Sequence, residues 1–218
     1  MPKTFVIGDI HGCNDLLLQL LDKIGPIPPE ARLVFLGDYI DRGPQSKAVI
    51  DTVLNLRRQY PYTMTLMGNH ERMLLDYLMG INQKGYLRLG GAQTLESYGI
   101  TPEEDAKGKF PAAHIRFFNE LLHYWEDDQH IFVHAGIEPG VPMALQSEEW
   151  LLWSRNTADR LAAKNQKTII YGHSAFKNPQ IGPESIGIDT GAVYGGNLTC
   201  LLLPDHEFIQ VRGVKFWP

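Results

Sequence analysis

The chain has 218 residues, of which 44% are hydrophobic and 21% are charged. This length and balance are typical of one large globular domain with a substantial buried core, and they argue against a disordered protein. The formal net charge of -5 repels a phosphate backbone. We therefore expect no nucleic-acid partner, and any phosphate must be bound by local cations or metal ions.

The two cysteines, Cys13 and Cys200, are too few for the disulfide framework of a small secreted domain. The first residues lack the cationic and apolar regions of a signal peptide, and no apolar run approaches the roughly 20 residues that cross a bilayer. We therefore expect a cytoplasmic protein without a membrane partner.

Short apolar runs alternate with amphipathic stretches in the first half of the chain, which is typical of strands and helices around a largely parallel sheet. Leucines at helical spacing predict a helix that is capped by Asn14 and ended by residues 25–29. Ser46 is predicted to cap a second helix. The apolar runs predict strands at residues 4–7, 33–36 and 62–67.

The pattern loosens between Gly80 and Trp125 into glycine-punctuated and helical pieces, with a helix predicted over residues 111–124. We interpret residues 80–125 as a mainly helical insertion that borders the site, within a single domain spanning residues 1–218. The close spacing of the last three predicted strands indicates an antiparallel meander, and a second sheet packed on the first. The strands of the second half are predicted at residues 131–133, 168–171, 185–188, 198–203 and 208–211.

Polar clusters directly follow the first three predicted strands, at residues 8–12, 37–43 and 68–71. Asp9 and His11 are two residues apart, and an extended chain points both side chains the same way, which suits two ligands of one metal ion. Ligands gather outside the carboxyl ends of strands in open α/β sheets, so the three clusters should converge.

Two more histidines, His134 and His173, also follow predicted strands. Any single cluster of this kind is as often a turn, a helix cap or a structural histidine. Five strand ends with suitable ligands in one chain instead indicate a metal site. Imidazole nitrogen mixed with carboxylate oxygen suits Mn, Fe, Zn, Co or Ni better than Ca or Mg. The sequence therefore predicts a pair of transition-metal ions.

The ordered motifs Gly-Asp-x-His-Gly, Gly-Asp-x-x-Asp-Arg-Gly and Gly-Asn-His-Glu resemble the signature of the phosphoprotein phosphatase family. Within that family the chain most resembles the compact Ser/Thr protein phosphatases of bacteria and phage. The resemblance implies a metallophosphoesterase-like α/β/β/α sandwich of two mixed β-sheets flanked by helices. It continues at residues 132–136, 153–155, 171–174 and 188–192, and so covers nearly the whole chain.

The same resemblance implies a metal ligand at each of six positions. Asp38 would bridge two divalent ions. Mn2+ is the ion we expect, with Fe, Zn, Co and Ni left open. The first ion would be held by Asp9 and His11, and the second by Asn69, His134 and His173.

The resemblance also assigns the residues that handle the substrate. Arg42 and Arg155, with Asn69, would bind the phosphate, and an arginine fork matches two phosphate oxygens. His70 would protonate the leaving oxygen, with Asp41 orienting its ring. Three residues received other interpretations. Tyr194 aligns loosely with a tyrosine beside the site and is equally well a packed aromatic, Glu71 is expected to cap its helix or form an ion pair, and Trp153 is expected to pack on the core.

These assignments predict a metal-dependent phosphomonoesterase, most simply a Ser/Thr protein phosphatase. A water bridging two cations roughly 3.5 to 4 Å apart has its pKa lowered towards about 7, so that a bridging hydroxide attacks phosphorus in line. We expect a monomer that acts on phosphorylated proteins or small phosphoesters.

Two alternatives stay open at this point. One is a dinucleoside polyphosphate hydrolase of the symmetrical diadenosine tetraphosphatase kind, which uses the same metal site; those enzymes are typically longer, and length therefore favours the phosphatase. The other is a catalytically silent phosphate-binding module, which should lack a metal ligand or the acid. The sequence lacks neither.

Overall fold

The computed structural model describes residues 3–101, 104–155 and 167–218. In these ranges the strands form two mixed sheets of five strands each. In chain order the strands are β1 (Thr4–Ile7), β2 (Arg32–Phe35), β3 (Thr63–Thr65), β4 (Tyr124–Glu126), β5 (His130–Val133), β6 (Thr168–Tyr171), β7 (Gln180–Ile181), β8 (Ser185–Gly187), β9 (Asn197–Leu203) and β10 (Glu207–Arg212).

The helices pack on the outer faces of the sheets and lie between the strands in sequence. No helix in the described ranges is long and apolar enough to span a membrane. In chain order the helices are α1 (Asn14–Ile24), α2 (Ser46–Gln59), α3 (Asn69–Leu78), α4 (Gln83–Tyr86), a π-helical turn (Leu87–Gly91), α5 (Ala92–Ser97), α6 (Ala112–Asn119), a 3-10 turn (Met143–Leu145) and α7 (Glu148–Trp153).

The first sheet has the order β10-β9-β1-β2-β3, with β1, β2 and β3 parallel and the β9–β10 hairpin antiparallel at one side. The second has the order β4-β5-β6-β8-β7, with β5, β6 and β8 parallel and the two edge strands antiparallel. Parallel neighbours need a crossover connection, so their carboxyl ends lie at the same edge.

The two sheets face each other across a layer of buried apolar side chains. Val6 and Val34 of the first sheet share a buried cluster with Phe132 and Ile170 of the second. Alternate residues of the same strands, such as Phe5, point the other way into the core under the helices. This alternation follows from the two-residue period of a strand. The predicted α/β/β/α sandwich of two mixed sheets is confirmed.

The two residues predicted to cap helices, Asn14 and Ser46, do not occupy the N-cap positions. Cys13 occupies the N-cap of α1, and Asn14 is the first helical residue, whose side-chain oxygen accepts a hydrogen bond from Thr52. Gln45 precedes α2, and the Ser46 hydroxyl instead accepts a hydrogen bond from the backbone of Asp41. Both polar side chains that were predicted to cap a helix therefore accept hydrogen bonds from residues outside that helix.

The predicted meander of the last three strands was also wrong. Strand β8 pairs in parallel with β6 in the second sheet, whereas β9 and β10 form a hairpin that adds to β1 in the first. The helix predicted over residues 111–124 is shorter, because it ends at Asn119 and β4 follows. Short apolar runs do not reveal which sheet a strand will join.

Candidate metal centre and active site

The polar clusters meet where β1, β2, β3, β5 and β6 end. Five residues of these loops adopt the left-handed backbone conformation that is uncommon for residues other than glycine. Such a conformation costs roughly 1–3 kcal/mol and persists only where neighbouring contacts hold it. The φ angles are 46° at His11, 51° at Asp38, 72° at Asp41, 70° at Arg42 and 63° at His173.

Asp38 lies between two groups of potential metal ligands. Its Oδ2 is 3.3 Å from Nε2 of His11, and its Oδ1 is 3.5 Å from Nε2 of His134. On the second side, Oδ1 of Asn69 is 3.0 Å from Nε2 of His134 and 3.0 Å from Nδ1 of His173. Each oxygen of one buried carboxylate thus faces a different set of donor atoms, which is the arrangement of a bridging ligand.

Backbone contacts determine which imidazole nitrogens face Asp38. Nδ1 of His11 donates to the carbonyl oxygen of Ile40, and Nδ1 of His134 donates to that of Leu36, both at 2.9 Å. Nε2 of each ring therefore carries a lone pair, as a metal-ligating imidazole requires. Burial and the charge of Arg42 hold the pKa of His11 well below its usual range, and burial lowers that of His134. The rings are therefore neutral near pH 7.

The donor atoms fit bound cations. At the second group the lone pair of His134 Nε2 faces an oxygen of Asn69 and an oxygen of Asp38, so acceptor atoms of three side chains lie together there. At the first group Nη1 of Arg42, 2.6 Å from Nε2 of His11, supplies a positive charge. Burial, then the charges of Asp189 and Asp38, raise the pKa of Asp9 well above its usual range. A cation would relieve this crowding of acceptors and carboxylates.

Glu71 holds the loop that carries Asp38. Its fully buried carboxylate accepts hydrogen bonds from the backbone N–H of Asp38 and Tyr39, both at 2.9 Å, and of Ile40 at 3.3 Å. It also accepts one from the N–H of Gly68 at the start of α3. The expected helix cap is therefore present, but its other partners in the described ranges are backbone groups of the Asp38 loop rather than a cation.

His70 and Asp41 form a buried pair. Nδ1 of His70 lies 2.7 Å from Oδ2 of Asp41, so Nε2 is the ring atom left for a substrate. The other carboxylate oxygen of Asp41 accepts hydrogen bonds from Tyr86 at 2.9 Å and from Thr94 at 2.5 Å. Since both donors come from the predicted insertion, this segment supports the pair as well as bordering the site.

Three of the six predicted ligands, Asp38, Asn69 and His173, line a cleft of about 490 Å³. Arg42 and Arg155 both line it, and Nε of Arg42 is buried without a hydrogen-bond partner in the described part of the chain. The guanidinium of Arg42 lies 5.6 Å from the ring centre of Tyr194, which places this tyrosine beside the site. A planar cation with unused donors at the edge of a metal cluster suits phosphate oxygens.

Three residues at or beside this cleft were not assigned to it from the sequence. Asp189 lies within a matched motif but received no role; it lines the cleft, and burial raises its pKa to about 6. Gly90, at φ 113°, accepts a hydrogen bond from the N–H of Arg42, and a Cβ there would lie 2.7 Å from that nitrogen. Trp153 was expected in the core, but the residue is 39% exposed and lines the cleft, while Leu151 and Leu152 are buried. Only Asp189 follows a strand, which is the signal that could have identified it.

Gly172 offers a test of the first ligand group. A Cβ at this position would lie 2.2 Å from Oδ1 of Asp9, and the next nearest atoms are Cγ of Asp9 at 3.3 Å and the carbonyl oxygen of His134 at 3.6 Å. Gly172→Ala should therefore displace the Asp9 carboxylate and weaken metal binding about 10- to 100-fold without unfolding the protein. Titration with Mn2+ in a calorimeter measures this. Glu30→Ala, which removes an exposed carboxylate just before β2, is the control, and equal affinities of the two variants would contradict the placement of Asp9.

Most of the chain matches one known protein family. The family model of the calcineurin-like phosphoesterases matches residues 2–210. An asymmetrical bis(5'-nucleosyl)-tetraphosphatase PrpE from Halalkalibacterium halodurans is 31% identical over an alignment of 231 positions. The alignment covers 94% of this chain and 92% of that protein. An enzyme of the same name from Bacillus anthracis is 30% identical over 234 residues, covering 96% of this chain and 94% of that protein.

Solved structures share the fold at lower identity. A candidate diadenosine tetraphosphatase superposes with a TM-score of 0.75 at 24% identity, covering 98% of this chain and 96% of its own. A protein serine/threonine phosphatase from Saccharomyces cerevisiae gives 0.64 at 16% identity, covering 100% and 81%. A cold-active protein tyrosine phosphatase gives 0.68 at 18%, covering 98% and 79%. One fold thus carries enzymes with different phosphoester substrates.

Proposed function

Because the chain belongs to the calcineurin-like phosphoesterase family, we propose that it is a metal-dependent hydrolase that cleaves dinucleoside tetraphosphates asymmetrically. The observation that carries the proposal is the similarity to asymmetrical bis(5'-nucleosyl)-tetraphosphatases, which extends over more than nine-tenths of both chains. This reverses the order of the two hypotheses drawn from the sequence. The protein phosphatases resemble the chain only in fold, at 16–18% identity.

Chain length no longer argues for the phosphatase. The sequence hypothesis compared the chain with longer, symmetrical enzymes, whereas the matched region covers 92% of the Halalkalibacterium relative. The relatives are therefore similar in length to this chain, and their names describe asymmetrical rather than symmetrical tetraphosphatases. Dephosphorylation of Ser or Thr in proteins becomes the second candidate.

We assign the metal ligands as the sequence predicted. Asp9 and His11 would hold one divalent ion, and Asn69, His134 and His173 would hold the other, with Asp38 shared between them. Bound ions of this kind supply Lewis acidity, lower the pKa of water and neutralise phosphate charge. Manganese is the first metal to test, because the donor set of imidazole, carboxylate and amide accommodates it.

The remaining residues bind the polyphosphate and move a proton. Arg42 and Arg155 line the cleft, and their charge suits consecutive phosphate groups that carry several negative charges. Asn69 would donate from its amide nitrogen, since its oxygen faces the two histidines. His70 holds its Nδ1 against Asp41, so a proton for the leaving oxygen would come from Nε2.

The products of diadenosine tetraphosphate hydrolysis test this proposal. Manganese-loaded protein should consume one water and release ATP and AMP, whereas symmetrical cleavage would release two molecules of ADP. In water enriched in oxygen-18, mass spectrometry of the products identifies which phosphorus atom is attacked. A phosphoserine peptide is the competing substrate. A kcat/KM at least ten-fold higher for the peptide would establish the second candidate instead.

A further inference from the structure

We propose that the groove formed by residues 149–155 is a nucleobase site, in which the indole ring of Trp153 stacks on one base of the dinucleotide. The inference rests on the proposed function and adds the residue that recognises the neutral end of the substrate. A residue that only binds the base is outside the metal centre and can be tested apart from it.

The groove adjoins the active cleft. It has a volume of about 270 Å³ and is lined by Glu149, Trp150, Trp153, Ser154 and Arg155. Trp153 and Arg155 also line the cleft that contains Asp38 and His70. Pockets that hold a whole ligand measure roughly 300–1,000 Å³, so the cleft can hold the reacting phosphates and the smaller groove only one end of the molecule.

The structure presents Trp153 as an exposed aromatic platform. Helix α7 is short, but Leu151 and Leu152 bury it in the core, and Ser147 caps its first turn by accepting a hydrogen bond from Trp150. Trp153, the last residue of the helix, therefore lines the cleft while 39% of the residue stays exposed to solvent. Exposed aromatic rings stack on nucleobases, and stacking tolerates any base because every base has a π-face.

Charge favours the base over a phosphate in this groove. Arg155 lies where groove and cleft join, and the carboxylate of Glu149 lines the groove itself. Phosphates are attracted to Arg155 and Arg42 and repelled by Glu149. A nucleotide bound with its phosphates in the cleft would therefore extend past Arg155 and place its uncharged base against Trp153.

Calorimetric binding of two ligands to the manganese-loaded protein separates base recognition from phosphate recognition. ATP and inorganic tripolyphosphate carry the same three phosphates, but only ATP has a base. Trp153→Ala should raise the Kd of ATP about 5- to 100-fold, the range that stacking one base provides, and leave the Kd of tripolyphosphate within two-fold. Trp153→Phe should retain most of the affinity, since it keeps an aromatic face.

Steady-state kinetics give a second readout. For diadenosine tetraphosphate, Trp153→Ala should raise KM with little change in kcat, because the stacking contact is the same in the ground and transition states. Tyr62→Ala, which removes an exposed aromatic side chain that lines neither the groove nor the cleft, is the control and should leave KM and kcat unchanged.

Two results would overturn the base site. One is an unchanged Kd of ATP in the Trp153→Ala variant, and the other is an equal loss for ATP and tripolyphosphate. Both are distinct from a failure of the proposed function, which appears as wild-type protein that does not produce ATP and AMP from the dinucleotide.

Discussion

Replacing Asp38 by asparagine is expected to lower kcat/KM of the manganese-loaded protein about 10³-fold, because in its proposed role as a shared ligand Asp38 would help two metal ions lower the transition-state free energy by several kcal/mol. Asp38 is the residue whose two oxygens face His11 and His134. An amide keeps one oxygen but loses the charge that offsets two cations. The fold should persist, since the hydrogen bond from the N–H of His70 to Oδ1 of Asp38 can be made to the amide oxygen.

Elemental analysis and circular dichroism separate these effects. The variant should hold fewer than two metal ions per chain and keep the far-ultraviolet spectrum of the wild type. Asp51→Asn is the matched control, because Asp51 is a carboxylate outside the cleft that pairs with Lys47 and His114. Near-normal turnover with two retained ions would show that the carboxylate does not bridge.

Replacing His70 by asparagine should lower kcat by roughly 10² to 10⁴, the usual contribution of a general acid. The loss should depend on the leaving group. Phenolate needs a proton in the transition state more than p-nitrophenolate does, so the decrease should be larger for phenyl phosphate than for p-nitrophenyl phosphate. Stopped-time phosphate assays of both esters measure the difference.

Two further variants show whether the His70 effect is chemical or structural. Tyr86→Phe removes one donor to Asp41 and should reproduce the leaving-group dependence with a smaller loss. His114→Asn disrupts another histidine–aspartate pair, formed with Asp51 outside the cleft, and should not change the ratio of the two esters. If His70→Asn slows both esters equally, His70 is not the acid.

The metal ligands were the part of the site that the sequence could reveal. Each lies just after an apolar run, and parallel strands bring their carboxyl ends to one edge, so Asp9, Asp38 and Asn69 had to be neighbours once the strands paired. The glycines beside them also belong to the motifs. The roles assigned to these residues stay predictions until the variants are measured.

The support of the site could not be predicted in the same way. Tyr86 and Asp41 are 45 positions apart, and nothing in the sequence near either residue indicates the other. Glu71 was expected to cap its helix or form an ion pair, yet most of its hydrogen bonds reach a loop more than 30 residues away. Local spacing has no information about such partners, since they depend on how the crossovers bring distant segments together.

By itself, the sequence determined the alternation of strands and helices and the strand ends at which the candidate ligands gather, because strand periodicity and ligand type are local properties. The two-sheet sandwich and the phosphoester chemistry followed from the resemblance of its motifs to the phosphoprotein phosphatase family. Only the tertiary structure decided that β8 joins the second sheet, that the helical insertion holds Asp41, and that Trp153 faces the cleft instead of the core. Each of these depends on contacts between segments far apart in the chain. The free energy of these contacts comes from the burial and close packing of side chains, which a short motif does not specify.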